Sequence, residues 1–141
     1  MVGGGGMPGI LPRAMADIFR RKAEMEHDYE VNIKTYMLEL YNDQLLDLLV
    51  VHGKNSSGGK KTHLDIKKDS KGMIFVAGAT IKECPNLKAL QDLWAVGESN
   101  RHVGATKMNA GSSRSHLIIS ILIETKDRAT GKVSVRAVFN N

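Results

Sequence analysis

The residues between 109 and 116 combine the side chains of this sequence that are best suited to binding a phosphate or a metal ion. They include an asparagine amide, three serine hydroxyls and an arginine, namely Asn109, Ser112, Ser113, Arg114 and Ser115. Serine hydroxyls can coordinate Mg²⁺ and donate to phosphate oxygens, and an arginine guanidinium binds phosphate or carboxylate through paired hydrogen bonds. Composition alone favours a solvated, serine-rich turn, so the order of the residues has to decide between these two interpretations.

No other group of residues has the spacing of a catalytic or metal-binding site. The five histidines lack metal-ligand spacing, and Cys84 has no catalytic partner motif, so we interpret it as a small apolar core residue. The phosphate-binding motif G-x-x-x-x-G-K-S/T does not occur. Its nearest approximation, residues 53–58, is followed by Gly59 where the motif requires lysine, so we predict a surface loop there.

The first part of the chain predicts a helix followed by a strand. Apolar residues recur at helical spacing from Ile10 to Phe19. Residues 29–41 then alternate between apolar and polar at first and become apolar on both faces toward the end, which predicts a strand. Asn42-Asp43 ends this strand, and we expect it to cap a short helical turn over residues 45–49.

The second part predicts further strands and one helix. We expect a polar Gly/Ser-rich loop over 52–63, two short strands within 64–77, a helix over 85–102, a loop over 104–113, a central strand over 117–125 and a last strand over 132–139. Helices that alternate with strands are typical of an α/β sheet with helices on its faces.

The charge of the chain is concentrated after residue 50. Of the net +5, residues 1–50 contribute 5 Lys/Arg against 8 Asp/Glu, whereas residues 51–141 contribute 15 against 7. A basic part of this kind suits an acidic partner, but the charge alone favours a solvated basic face. Nucleic acid is disfavoured as that partner, because no RNA-binding aromatic signature or DNA-reading helix is recognisable.

The overall composition is that of a globular protein. Hydrophobic residues make up 42% and charged residues 25% of the chain, which argues against disorder over its whole length. A single cysteine excludes an internal disulfide. No apolar run is long enough to cross a bilayer, and residues 1–6 have no signal-peptide pattern. We therefore expect a cytoplasmic protein without a membrane partner.

The order of residues 109–116, Asn-Ala-Gly-Ser-Ser-Arg-Ser-His, matches the N-x-x-S-S-R-S-H switch I motif of the kinesin motor domain at every fixed position. Residues 100–103, residues 8–14 and residues 39–49 also resemble that family. The resemblance extends from Met1 to about Val135. Residues 67–73 are most similar to minus-end-directed kinesins of the plant calmodulin-binding type.

The resemblance implies a fold and a position within it. The chain, residues 1–141, would be a partial P-loop NTPase motor fold with a central, mostly parallel β-sheet and flanking helices. It would begin just after the nucleotide-binding loop and end before or at a degenerate switch II. Ala137 and Asn140 stand there in place of the aspartate and glycine of the family motif D-L-A-G-S-E.

The resemblance also implies ATP and Mg²⁺ as cofactors of the complete motor. Asn109 would hold the attacking water or the phosphate, Ser113 would contact Mg²⁺ and the γ-phosphate, and Arg114 would pair with a switch II carboxylate. The nucleotide-binding residues would further include Arg101, Ser112 and Ser115. Phosphoryl transfer needs a phosphate cradle together with the metal and a positioned water. Because the cradle and switch II are missing from the sequence, we expect the chain alone not to hydrolyse ATP.

Microtubules are the partner that the resemblance implies, on the cytoplasmic cytoskeleton. Lys67, Lys68 and Lys71 resemble, by position, a loop that contacts tubulin, although a solvated turn is the alternative. The sequence has no heptad stretch, so any dimerisation would use coiled coils outside this chain. A non-catalytic module that binds tubulin or another partner remains the second functional hypothesis, and enzymatic activity stays open. We also expect strands that lack neighbours to promote aggregation.

Overall fold

A computed structural model of the chain describes residues 9–41, 43–50, 64–70, 72, 74–103 and 115–140. The elements are α1 (Ile10–Met25), β1 (Tyr29–Tyr41), β2 (Gln44–Asp47), β3 (Asp65–Lys68), β4 (Ile74–Ala77), β5 (Lys82–Glu83), α2 (Leu87–Val103), β6 (Ser115–Asp127) and β7 (Val133–Asn140). Both predicted helices and the predicted strands are confirmed, apart from small shifts at their ends. The loops predicted over 52–63 and 104–113 lie outside the described residues.

Five strands form the main sheet, in the order β2-β1-β6-β7, with β5 pairing to β1. Strands β1 and β6 pair along their whole length, from Tyr29 opposite Asp127 to Tyr41 opposite Ser115. The central position predicted for β6 is therefore confirmed, since β1 and β7 lie on its two sides. Helices flank this sheet, which confirms the mixed α/β class.

The direction of the strands differs from the mostly parallel sheet that we expected. Every pairing between strands in the described ranges is antiparallel. The β6–β7 connection shows one physical reason, because a short turn reverses the chain there. Asp127 accepts hydrogen bonds from the backbone N–H groups of Ala129 and Thr130, and Gly131 adopts a left-handed conformation with φ 70°. Burial of both strand faces reports what covers a sheet, not the direction in which its strands run.

The core lies between the two helices and one face of the sheet. Helices α1 and α2 contact each other, and both contact β1. Strand β1 shows the predicted burial pattern, with alternation at its start and continuous burial from Thr35 to Glu39. Cys84 is buried in the same core, as predicted, and burial raises the pKa of its thiol to about 11. None of the described helices has the length and apolar character needed to span a membrane.

The short helical turn expected over residues 45–49 is wrong, because residues 44–47 form β2. Asp43 adopts a left-handed backbone conformation with φ 59°. This conformation allows a two-residue turn that brings Gln44 opposite Tyr41 and folds the chain back onto β1 as a hairpin. Asp47 then fixes the end of β2, where its two carboxylate oxygens accept from the backbone N–H groups of Leu49 and Thr80.

The second, smaller sheet is the hairpin of β3 and β4, where Asp65 lies opposite Ala77 and Lys68 opposite Ile74. It confirms the two short strands predicted around a basic turn. Ile66 and Ile74 are 69% and 60% exposed, so the hairpin presents apolar as well as basic side chains at the surface.

Candidate functional site

Helix α2 carries the first residue of the candidate site on the face that packs against the sheet. Leu90, Trp94, Gly97 and Arg101 recur at helical spacing, and so they share one side of the helix. Gly97 allows a close approach to β1, since a Cβ atom there would lie 2.5 Å from Sδ of Met37. This close packing brings the last turn of α2, with Arg101, over the end of β1.

Arg101 connects the end of α2 to two neighbouring strands. Its Nε donates to Oε1 of Glu39 in β1 over 3.1 Å, and its Nη2 donates to Oγ of Ser115 in β6 over 3.1 Å. The sheet register explains why Arg101 reaches both residues. Ser115 pairs with Tyr41, and Tyr41 lies two residues after Glu39, so Glu39 and Ser115 are on the same face of the sheet. We call Glu39, Arg101 and Ser115 the Arg101 cluster.

The Arg101 cluster is partly shielded from water. The Glu39 side chain is 11% exposed and the Arg101 side chain 24% exposed. Solvent screens an ion pair in such surroundings less than it screens a pair on the surface. A carboxylate with this little exposure also needs a charged or hydrogen-bonding partner, which the guanidinium supplies. The cluster can therefore hold a fixed geometry and neutralise its own charge.

A second contact fixes the same end of α2. Nδ2 of Asn100 donates to the carbonyl oxygen of Leu48 over 2.7 Å, and the backbone N–H of Leu48 donates to the carbonyl of Met37 in β1. Asn100 and Arg101 thus attach adjacent helix positions to the β1–β2 hairpin. The end of α2 is therefore attached to β1, to the residue that follows β2 and, through Ser115, to the beginning of β6.

The structure brings together two of the predicted nucleotide-site residues, Arg101 and Ser115, which are separated by 14 positions in the sequence. The others, Asn109, Ser112, Ser113 and Arg114, lie outside the described residues. Within the described ranges, no group of three or more His, Cys, Asp or Glu side chains could hold a metal ion. Because Ser113 lies outside the described residues, its role as a Mg²⁺ ligand remains a prediction from the sequence.

Sequence reasoning missed Glu39. A signal was present, because Glu39 is an acidic residue inside the stretch of β1 whose two faces are apolar. A charged residue in such a stretch is rarely buried without a partner, and Arg101 is that partner. The pattern could have indicated a buried ion pair, but it could not have identified an arginine that follows 62 positions later.

The predicted microtubule-binding lysines fall on the β3–β4 hairpin. Lys67 and Lys68 are both exposed in β3, on opposite faces of the strand, while Lys71 lies outside the described residues. Ile74 pairs directly with Lys68, so an exposed apolar side chain stands beside a basic one.

Comparison with known proteins identifies the family. A model of the kinesin motor domain matches residues 1–139. The chain therefore belongs to the kinesin motor domain family. It is similar to the solved structure of a fast kinesin, which addressed implications for ATPase mechanism and interactions with microtubules. The match has a TM-score of 0.79 at 25% identity and covers 94% of this chain and 35% of the other.

Curated relatives are similar over most of the chain. The kinesin-like protein KIN-14I of Oryza sativa subsp. japonica is 42% identical over 90% of this chain, and KIN-14E of Arabidopsis thaliana is 40% identical over 90%. The kinesin heavy chain of Strongylocentrotus purpuratus is 37% identical over 89%. The matched region makes up 10% of each plant protein and 12% of the sea urchin protein, so this chain spans about a tenth of their length.

Proposed function

We propose that the chain is the central part of the motor domain of a microtubule-based, ATP-dependent kinesin, in which residues 109–116 sense the γ-phosphate. The supporting observation is that this motif ends at the Arg101 cluster. Arg101, which precedes the motif, contacts both Ser115, within the motif, and Glu39, near the end of β1. A phosphate-sensing loop needs such a rigid base if its ordering is to report on the nucleotide.

Within this proposal, the residues keep the roles that the family resemblance implies. Ser113 contacts Mg²⁺ and the γ-phosphate, Asn109 holds the water or the phosphate, and Arg114 pairs with a carboxylate of switch II. Ser112 and Ser115 support the loop from within, and Arg101 supports it from α2. Bound Mg²⁺ would neutralise phosphate charge during transfer.

The first experiment separates nucleotide binding from turnover. We expect the 141-residue chain to bind a fluorescent ATP analogue with Mg²⁺ weakly, because the sequence has no phosphate cradle, and to show no ATP hydrolysis. Binding should be lost in the double variant S113A/R114A. Turnover by the chain above that variant would contradict the expected inactivity, whereas equal binding by the two proteins would contradict the role of residues 109–116.

The gene offers an independent test of the larger proposal. Codons for G-x-x-x-x-G-K-S/T directly upstream of this reading frame would support a longer motor that includes the phosphate cradle. Their absence from the surrounding genomic sequence would favour the alternative, a non-catalytic module derived from a kinesin.

We further propose that the partner is the microtubule, on the cytoplasmic cytoskeleton, and that the β3–β4 hairpin contributes Lys67, Lys68 and Lys71 to the contact. Two of these lysines are exposed in β3, and the chain is most basic after residue 50. Attraction between exposed charges weakens with added salt, so binding by this chain should be weak and sensitive to salt.

Co-sedimentation with microtubules tests this contact. The double variant K67A/K68A should sediment less than the wild type. The double variant K126A/K132A removes the same charge from exposed positions near the β6–β7 turn and serves as the control. Equal loss in both variants would indicate a non-specific charge effect and contradict a contact through the hairpin.

The subfamily is a finer proposal. We propose a plant-type, minus-end-directed KIN-14 kinesin, because KIN-14I and KIN-14E share 42% and 40% identity with the chain, against 37% for the sea urchin heavy chain. Movement of microtubules by the full gene product in a gliding assay tests the direction, and plus-end-directed motion would contradict it.

A further inference from the structure

We propose that Glu39 is a positioning residue for the nucleotide site. Its carboxylate holds Arg101 in the orientation that fixes Ser115 at the start of β6. The inference rests on the proposed function of residues 109–116, and it adds a residue that lies 70 positions before that motif. Glu39 itself acts through Arg101, because its described side-chain contact is with the guanidinium.

The geometry makes Glu39 the fixed point of the Arg101 cluster. Strand β1 pairs on both sides, with β2 and with β6, so the backbone of Glu39 is held in the middle of the sheet. The arginine side chain is longer and loses more conformational freedom when it is ordered. An acceptor that is already rigid reduces the number of orientations open to the guanidinium. Oε1 of Glu39 binds Nε, which leaves Nη2 directed at Ser115.

Ser115 is the point where this contact reaches the proposed site. It is the first residue of β6 and lies two positions after Ser113 in the sequence. A hydroxyl held at 3.1 Å from Nη2 fixes the side chain of Ser115, and pairing with Tyr41 fixes its backbone. The position from which β6 begins is therefore set by a residue of β1, a different strand.

Charge complementarity explains why an acidic residue is needed at position 39. Arg101 is always protonated, and it is less than a quarter exposed. Without Glu39, the guanidinium would have to turn toward water or toward another acceptor. Either movement would take Nη2 away from Ser115 and leave the serine hydroxyl without its donor.

The experiment compares Glu39→Ala, Glu39→Gln and Ser115→Ala with Glu30→Gln in the 141-residue chain. Glu30 is an exposed acidic residue at the other end of the same strand and is the matched control. Amide hydrogen exchange is measured at residues 115–117 and, for comparison, at residues 125–127. We expect E39A and S115A to speed exchange at 115–117 by about tenfold, the effect of one lost charge-assisted hydrogen bond. Exchange at 125–127 should not change.

The effects of E39A and S115A on amide exchange should not be additive. If Glu39 acts on Ser115 through Arg101, S115A has no further effect in the E39A background. E39Q keeps an acceptor oxygen for Nε and should lie between the wild type and E39A. Thermal unfolding midpoints identify a variant that has simply lost its fold. If E39A has done so, E39Q, which keeps the size of the side chain and removes its charge, decides the question.

Binding of the fluorescent ATP analogue with Mg²⁺ connects this result to the site. We expect the dissociation constant to rise by about tenfold in E39A and to stay unchanged in E30Q. Wild-type exchange at 115–117 in E39A, whatever the effect of S115A, or additive effects in the double variant, would overturn the positioning role. A wild-type chain that binds no analogue would contradict the proposed function instead, and the exchange data would still show whether Glu39 fixes Ser115.

Discussion

Ser120 interrupts the apolar stretch of β6, and its hydroxyl is fully buried without a hydrogen-bond partner among the residues that the structure describes. A buried hydroxyl without a partner costs free energy when the protein folds. We therefore expect Ser120→Ala to raise the free energy of unfolding by about 1 kcal/mol, as measured by urea denaturation.

Thr35 in the neighbouring strand β1 is the control, because its buried hydroxyl has a hydrogen-bond partner and its removal should lower stability. Thr35 donates from Oγ1 to the backbone carbonyl oxygen of Ser120 over 2.8 Å. Thr35→Val removes this donor and should lower the free energy of unfolding by about 1 kcal/mol. Equal losses of stability in S120A and T35V would mean that the Ser120 hydroxyl does have a partner.

Cys84 leads to a prediction about alkaline pH. Burial raises the pKa of its thiol from 9.0 to about 11, because the thiolate is poorly solvated in the core. Between these two values the unfolded chain loses the proton while the folded chain keeps it, so stability falls as the pH rises from about 9 to 11. We expect the stability of Cys84→Ala to fall less over this window. Unfolding curves measured at pH 8 and pH 10.5 would test this, and parallel losses in both proteins would contradict it.

At the scale of the elements, the close contact between α2 and β1 depends on a glycine, Gly97, which has no side chain. A Cβ atom on Gly97 would lie 2.5 Å from both Sδ and Cε of Met37, which is itself buried. We expect Gly97→Ala to lower the free energy of unfolding by about 1 kcal/mol, since the clash outweighs the better helix propensity of alanine.

Removing the clash should reverse the sign of that effect. In a Met37→Ala background, Gly97→Ala no longer meets the thioether, and only the gain in helix propensity of about 1 kcal/mol remains. The four proteins form a double-mutant cycle measured by thermal unfolding. Additive effects across the cycle would show that α2 does not depend on this contact.

The sequence predicted elements better than it predicted their partners. The helical periodicity of α1 and the alternating pattern of β1 are local properties, and both elements were predicted correctly. The β1–β2 hairpin was missed because it depends on the left-handed conformation of Asp43, which aspartate permits without requiring. Glu39 was missed for a different reason. Its role is set by an arginine that is close only after α2 has packed on the sheet.

At the scale of the whole molecule, β7 occupies one end of the main sheet. Within the described ranges it pairs only with β6, and Val135 is 43% exposed on it. An edge strand with exposed apolar side chains promotes association with other chains. We expect Val135→Lys to reduce aggregation of the isolated chain, measured by light scattering at 37 °C, since an edge lysine opposes pairing with another chain. Position 135 lies opposite Glu124, so the new lysine gains a cross-strand partner.

Ile10→Lys is the control for this prediction. It adds the same charge at another exposed apolar residue, which lies at the beginning of α1, away from any strand edge. If I10K reduces aggregation as much as V135K does, net charge is the cause, and the edge of β7 is not responsible.

The carboxylate of Asp47 has a mechanical consequence. One oxygen holds Leu49 just after β2, and the other holds Thr80, in the segment that leads away from the β3–β4 hairpin. The carbonyl oxygen of Leu48, between Asp47 and Leu49, accepts a hydrogen bond from the side chain of Asn100. If a microtubule binds that hairpin as proposed, tension on it would load this short series of hydrogen bonds and reach the last turn of α2 through Leu48 and Leu49, two buried residues of the core.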